Sequence, residues 1–460
     1  MRSRIVAAVA VLAVLAAACS NATSSKPAAN TTPPGGSKTP TTVVSNTDLK
    51  KNVSLPGVQG VTSSQIGVAV IDAGSNPLAG DYSTVPNGIQ AYFNMINSQG
   101  GIYGRQLKIL ATHNDGFVND EQTVKASLAQ DHAFATFLAT PLFTGAPDIA
   151  AHPSMPTFIW NINQEFAGKP NIFGNVGALC FSCVGQGTPF LAQAEHVTNV
   201  GVLAYGSPAA STNCAIGIQN SFKKYPSAKV AYFDDHLQLG QPDLSAQVSQ
   251  LKQKNVGLIF TCIDQAETLI LAKELAKQHV NAVQSLPNSY DPKFAADNAK
   301  YLEGSFVAPQ FVALEYTQIP QTEKDFVTWM GKLGKPVQEL AGYGWILALE
   351  LVEGLKLAGP NFSQQKVIDA LNQDTSFDAD GMIEPIDWTI QHNDPTGPNG
   401  TTKAEVAGKY NCASTVKIHD GKFVALPTPG GKPWTCMTGG PNAPTLTKTP
   451  TYESFPSSNG

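Results

Sequence analysis

The stretch Asn87 to Leu110, NGIQAYFNMINSQGGIYGRQLKIL, carries two periodicities back to back. Ile89, Tyr92, Phe93 and Ile96 fall at i, i+3, i+4 and i+7, which is the apolar stripe of an amphipathic helix. Ser83 or Thr84 offers a cap, and Pro86 suits a first helical turn. Gly100 and Gly101 supply the left-handed residue that a helix C-terminus favours. Gly104 marks a second turn, after which Leu107, Ile109 and Ala111 alternate as in a strand. Upstream, the apolar run Ile66 to Ile71 reads as a buried strand. The three pieces make one β-α-β unit, whose crossover is expected to be right-handed.

The same alternation continues outward. Residues 121–131 read as a helix with Val124 and Leu128 inward, 134–138 and 155–160 as strands, and 171–175 as a short extended piece. A second series follows: strands at 200–204, 229–233 and 257–260, and helices at 214–223, 244–254 and 266–278. Alternation of this kind implies parallel α/β sheets, here in two lobes. Such sheets bind ligands beyond the carboxyl ends of their strands, so two facing edges make a cleft. Residues 342–357 form a long, very apolar helix.

A chain of 460 residues is too long for one core and suits two lobes with tails. Charged residues are only 14%, against roughly 25% in average proteins. A net charge of −5 leaves no basic footprint, so nucleic acid is not an expected partner. There is no Gly-x-Ser-x-Gly elbow, P-loop, His-Glu-x-x-His or helix-opening Gly-x-Gly-x-x-Gly, so nothing asks for an enzyme, a metal or a cofactor. Asp234-Asp235-His236 follows a strand and precedes Gly240, and reads as a solvated turn.

At the N-terminus, Arg2 and Arg4 precede an apolar run and then Ala16-Ala17-Ala18-Cys19. The run is too short to span a bilayer and reads as a signal peptide over 1–18. A Cys directly after small residues resembles a bacterial lipobox, so Cys19 is the expected lipidation site; ordinary cleavage near Ala18 is the alternative. Two acyl chains on Cys19 would anchor the protein stably. Residues 19–63, rich in Ser, Thr, Pro and Asn, read as a lipid-anchored flexible tether.

Pro77-Leu-Ala-Gly, the helix from Asn87 and the run Ile96-Asn-Ser-Gln-Gly-Gly-Ile-Tyr-Gly-Arg105 together resemble the opening of type I periplasmic solute-binding proteins. The similar branch is that of the branched-chain amino acid receptors of ABC transporters. The resemblance implies an α/β, type I periplasmic binding protein-like fold: two Rossmann-like lobes joined by three crossover segments, with the ligand cleft between them. By that analogy the first lobe takes 64–181 and 310–384, and the second 182–309. Residues 385–426 hold the closing strands (387–394 and 417–423) and the return to the second lobe. A Pro/Gly/Thr-rich tail fills 427–460, and the crossings fall near 179–184, 306–312 and 382–388. The function implied is capture of a small-molecule solute by lobe closure and delivery to ABC permease subunits. The protein would be a monomer, lipid-anchored on the extracytoplasmic face of a bacterial cell membrane. A ligand-sensing surface receptor of the same fold is the alternative, and a secreted enzyme a more distant one.

Six cysteines remain beside Cys19, and an exported protein can hold disulfides. Fifteen pairings are possible; the favoured set is Cys180–Cys183, Cys214–Cys262 and Cys412–Cys436. Cys214 and Cys262 follow strands of the same lobe on one edge, and Cys412 and Cys436 are alone in the C-terminal region. Cys180-Phe-Ser-Cys183 is open to redox or metal readings, but no second ligand pair lies near it.

The family's amino-acid binders hold a carboxylate with first-lobe hydroxyls and N–H groups, and an ammonium with acids at the crossover and in the second lobe. Carried over, the first set falls on Thr140 or Thr144, and on Asn161 and Asn163, with Trp160 as an apolar wall and Asp81 and Tyr82 in the first loop. The acidic positions fall near Leu179 or Cys180 and near Asn288 or Ser289, so the usual pair of carboxylates is not evident. Asp264 or Asp291 as a replacement acid would restore an ammonium site, and Tyr205 and Tyr290 are further candidates. A buried ammonium without counter-charge is costly. The expected ligand is therefore neutral, amide-like, aromatic or carboxylate-only, not a standard α-amino acid.

Overall fold

A computed structural model of the chain describes residues 48–76, 80–140, 144–160, 164–397, 411–427 and 433–437. The signal segment, Cys19, Asn161 and Asn163 lie outside the described residues.

The first sheet has five parallel strands: β1 (Gln65–Asp72), β2 (Gln106–Asn114), β3 (Ala135–Ala139), β4 (Thr157–Ile159) and β5 (Ile172–Gly174), in the order β2-β1-β3-β4-β5. The second has β6 (Asn199–Tyr205), β7 (Lys229–Leu237), β8 (Leu258–Cys262), β9 (Val283–Leu286), β10 (Phe306–Val307), β11 (Val416–His419) and β12 (Lys422–Ala425). Their order is β12-β11-β10-β9-β8-β6-β7. The five strands β6 to β10 are parallel, and the two closing strands run antiparallel at one edge. Strand order reverses between β1 and β3 in one sheet and between β6 and β8 in the other. Each reversal opens a crevice at the strands' carboxyl ends.

The helix Val85–Ser98 buries Ile89, Tyr92, Phe93 and Ile96, as its stripe predicts. It ends at Gly100 and Gly101, both at positive φ (109° and 73°). The apolar segment at 342–357 is part of the helix Glu339–Ala358, buried on nearly every face. The two helices cross at glycines. A Cβ on Gly88 would lie 1.8 Å from the Ala341 carbonyl oxygen, and one on Gly344 2.1 Å from that of Val85. Among the described residues no helix is long and apolar enough to cross a membrane.

Four stretches differ from expectation. Residues 48–63 are docked, not free: the Gly67 N–H donates to the Gly60 carbonyl (2.8 Å), and Arg105 Nε donates to the Thr62 carbonyl (2.7 Å). Asp234-Asp235-His236 continues strand β7 instead of turning. As an edge strand, β7 tolerates charge. Residues 387–394 form turns, not a closing strand, because Asp387 accepts the Thr389 N–H (3.0 Å) and closes a local Asx turn. Trp388 also stays in the first lobe, edge-on to Phe173 of β5 at 5.2 Å. Within the tail, Thr435–Met437 pairs antiparallel with Asn411–Ala413.

Candidate functional site

The two topological reversals face one another. On the first sheet, β1 leads into a 3-10 turn carrying Tyr82, Ser83 and Thr84, capped by Asp81, whose carboxylate accepts the Ser83 N–H at 3.2 Å. On the second, β8 leads through Ile263 to Asp264, the residue before the helix Gln265–Lys277. The Tyr82 hydroxyl donates to Asp264 Oδ1 across the cleft at 3.4 Å. Beside this contact lies a crevice walled by Asp81, Gln265, Asn288, Asp291, Gln338 and Glu339. About 30 Å³ of it is open, room for a water molecule or two. The lobes therefore stand closed on each other. Among the described residues, the lining contains no His, Cys, Lys or Arg.

Asp264 is held from behind. Its N–H donates to the Tyr205 hydroxyl at the end of β6 (2.9 Å), and the Tyr205 N–H donates to Ser211 Oγ (2.8 Å). Ser211 in turn donates to the Cys262 carbonyl (2.6 Å). A disulfide joins Cys262 to Cys214 on the helix Ala209–Lys224. Burial pushes the Asp264 carboxyl up to about 7, helped by the nearby Glu267; hydrogen bonds from Tyr82 and Asn288 pull the other way.

Glu339 opens the long first-lobe helix and carries the second cleft carboxyl. It accepts the Tyr290 N–H (2.9 Å) and the Tyr343 hydroxyl, while its own N–H donates to the Tyr290 carbonyl (2.9 Å). Its neighbour Gln338 donates to Asp291 Oδ2 (2.6 Å). Burial lifts Glu339 to about 7 against the pull of these donors. Tyr290 lies behind the crevice, with its hydroxyl donating to Glu315 (2.7 Å) and accepting from the Leu314 N–H (2.9 Å). Aromatic rings complete the wall. Trp160 sits edge-on to Tyr82 (5.6 Å) and stacks on Tyr343 (6.3 Å, 15° between planes), and its indole N–H is buried without a partner among the described residues.

The sequence-derived candidates thus separate. Asp81, Tyr82, Trp160, Asp264 and Tyr290 gather at the closed cleft. Thr140 and Thr144 lie by a second acidic group in the first lobe. Thr144 Oγ1 and the Gly145 N–H donate to Asp120 (3.4 and 2.5 Å), and Thr140 is buried beside Asp115. Burial raises Asp120, and likewise Asp72 at the end of β1, to about 6. Glu339, Gln338 and Tyr343 were not foreseen. The one signal for Glu339 was an acid at the first position of a long apolar helix.

Cys180 and Cys183 are bridged, and this loop packs on Gly217 of the helix Ala209–Lys224, where a Cβ would meet the Phe181 carbonyl oxygen at 2.2 Å. Cys412 is disulfide-bonded and stands directly opposite Cys436 across the tail's strand pair; the Cys436 side chain lies outside the described residues.

No curated protein sequence matches the chain. Among solved structures it is similar to a fatty acid ABC transporter substrate-binding protein from Thermomonospora curvata (16% identity, 87% of this chain and 99% of that one, TM-score 0.64). It is also similar to a leucine-binding protein from Thermotoga maritima (14%, 79% and 98%, TM-score 0.61). A third is the branched-chain amino acid transporter substrate-binding protein of Streptococcus pneumoniae, solved with isoleucine (14%, 82% and 100%, TM-score 0.62). At these identities the likeness establishes the fold. The model of the periplasmic binding protein family matches residues 65–409, three quarters of the sequence, and takes in both sheets except the two closing strands. With its paired α/β lobes and the cleft at their carboxyl edges, the chain belongs to the periplasmic binding protein family, in its type I form.

Proposed function

We propose that this protein is an extracytoplasmic solute-binding lipoprotein, anchored through Cys19, that captures a small molecule between its lobes and delivers it to an ABC-type importer. The observation that carries the reading is the Tyr82–Asp264 contact, which joins the two topological reversals across the cleft. A ligand entering there would replace that contact and be touched by both lobes, which couples binding to closure. The solved relatives that carry transporter names support delivery to a permease.

The ligand fits best as a solute without an ammonium group. Glu339 is already engaged by Tyr343 and Tyr290. Asp264, pushed by burial up to about 7, holds a proton more readily than an ordinary carboxyl and, when protonated, donates to a carbonyl or carboxylate oxygen. The rings of Tyr82, Trp160 and Tyr343 offer an apolar or aromatic face, and Asp81 adds a polar group on the first lobe. An ammonium would itself be the counter-charge that these acids lack, so the reading rests on both carboxyls keeping their protons in the closed cleft.

Thermal denaturation of the full chain against a solute panel tests this. Amides, aromatic acids and aliphatic carboxylates should raise the melting point, by the equivalent of about 2.7 kcal/mol at a hundredfold excess over Kd. Tyr82→Phe and Asp264→Asn should weaken that binding by roughly tenfold each. Stabilisation by leucine or another α-amino acid alone would overturn the ligand class. Lipidation is checked separately, by mass spectrometry of the N-terminal peptide from membranes.

A further inference from the structure

Two of the bonded contacts between the lobes end on a carboxyl of the cleft. The first is Tyr82 of the first lobe against Asp264 of the second. The second is a clasp in which the loop after β9 grips the start of the helix Glu339–Ala358. Tyr290 and Glu339 exchange two bonds there, and Gln338 bonds Asp291. Asp264 is only partly exposed and Glu339 is 4% exposed, and the burial of both depends on the opposite lobe. We propose that Asp264 and Glu339 are a proton-dependent latch, which holds the lobes together while both carboxyls are protonated and loosens when they ionise. The proposal rests on the closure reading above and adds its regulation.

The surroundings fix the sign. Around Asp264 stand Glu267 on its own helix, Tyr205 from β6, Tyr82 from the opposite lobe and Asn288 from the loop after β9. Around Glu339 stand Tyr343 on its own helix, Tyr290 and the Ser289 N–H from the loop, and Tyr82 from the first-lobe turn. Asp81 and Asp291 line the same crevice, and Glu315 lies one hydrogen bond further, through Tyr290. Among the described residues every facing group is neutral or acidic. An ionised Asp264 or Glu339 in the closed cleft has donors but no counter-cation, and opening replaces that environment with water. Closing therefore takes up protons from solvent, so the closed form gains as pH falls from about 7 toward the ordinary carboxyl range. Above that window both groups are ionised in both forms and the dependence flattens. A receptor built this way closes on its solute more readily in acid surroundings and lets go more readily in neutral ones.

Single-molecule energy transfer in the full chain, with dyes on non-natural residues at the exposed Val118 and Val424, reads lobe separation directly. The closed-to-open ratio should fall by about tenfold or more between pH 5 and pH 7. Asp264→Asn and Glu339→Gln, which keep shape and stay uncharged, should each flatten the slope, and together abolish it. If Glu339→Gln does not fold, Asp264→Asn alone carries the test. Two populations whose ratio ignores pH, or variants that keep the wild-type slope, overturn the latch and leave closure standing. A single separation at every pH, retained in Asp264→Lys, overturns closure as well.

Discussion

Arg105 shows how much one side chain can settle without a charged partner. It is 1% exposed, and its guanidinium donates to the backbone carbonyls of Thr62, Tyr103 (3.2 Å) and Val53 while lying over the Phe362 ring at 5.8 Å. Three carbonyls at three angles need a planar fork, which lysine lacks. Arg105→Lys should therefore cost about 2 kcal/mol in urea denaturation and open residues 48–63 to protease; a loss below about 0.5 kcal/mol would mean that other contacts dock the segment. The residue stood in plain view at the end of the Gly-Gly-Ile-Tyr-Gly-Arg run, yet its role did not. Backbone carbonyls leave no trace in a sequence, and Val53 and Thr62 sit in a stretch without apolar periodicity. Glu339 was hidden for a similar reason: beside the Tyr343 hydroxyl of its own helix, it accepts the Tyr290 main-chain N–H, which comes from the other lobe. Asp264 came into view through the family analogy, next to the position that falls on Ile263, and it lies just past a strand end, where α/β sheets place their ligands.

Elements were easier to read than residues, because their periodicity records which face meets the core. The helix Val85–Ser98 and the alternation of both sheets followed from spacing alone. What spacing does not record is how close two elements come. Gly88 and Gly344 let two helices meet backbone to backbone, and a Cβ at either would fall 1.8 to 2.1 Å from a carbonyl oxygen of the other helix. Gly88→Ala should thus lower stability by about 3 kcal/mol, since neither backbone can retreat from a packed core. Gly331 is the internal control. It lies in the helix Gln321–Leu333 with open space around its Cβ position, so Gly331→Ala should stabilise by about 0.5 to 1 kcal/mol. Equal effects from the two would show that helix propensity, not the crossing, governs Gly88. Where the family analogy misled is 387–394, placed by resemblance as a closing strand. There the Asp387 carboxylate takes the Thr389 N–H and hydroxyl (3.0 and 2.5 Å) and the turn wins locally.

Across the whole molecule, buried acids tie stability to pH. Burial lifts Asp72 and Asp120 to about 6, Asp264, Glu339 and Glu384 to about 7, and Glu323 to about 9. Each keeps, in the folded chain, a proton that the unfolded chain sheds near pH 4. Folding takes up protons across these windows, so stability falls as pH rises from about 5 toward 9. His392 opposes this only on the acid side. Burial lowers it to about 4, so the unfolded chain binds the extra proton between there and the ordinary histidine range, and stability is lost as pH falls through that window. Glu323 separates cleanly from the rest. It is fully buried, both of its carboxyl oxygens lack partners among the described residues, and Glu315 is the charged group that acts on it. Between pH 7.5 and 8.5 the other five acids have finished most of their titration, while Glu323 still holds its proton in the fold, as does Glu350, whose buried carboxyl is also raised well above its ordinary range. In that interval the wild-type chain should lose about 1.4 kcal/mol per pH unit from this one group. Glu323→Gln, which keeps the shape and cannot ionise, should remove that slope and be the more stable protein at pH 8.5. Urea denaturation at pH 7.5, 8.0 and 8.5 reads both. A variant that retains the wild-type slope would place the linked proton elsewhere and leave Glu323 ionised and hydrated in the fold.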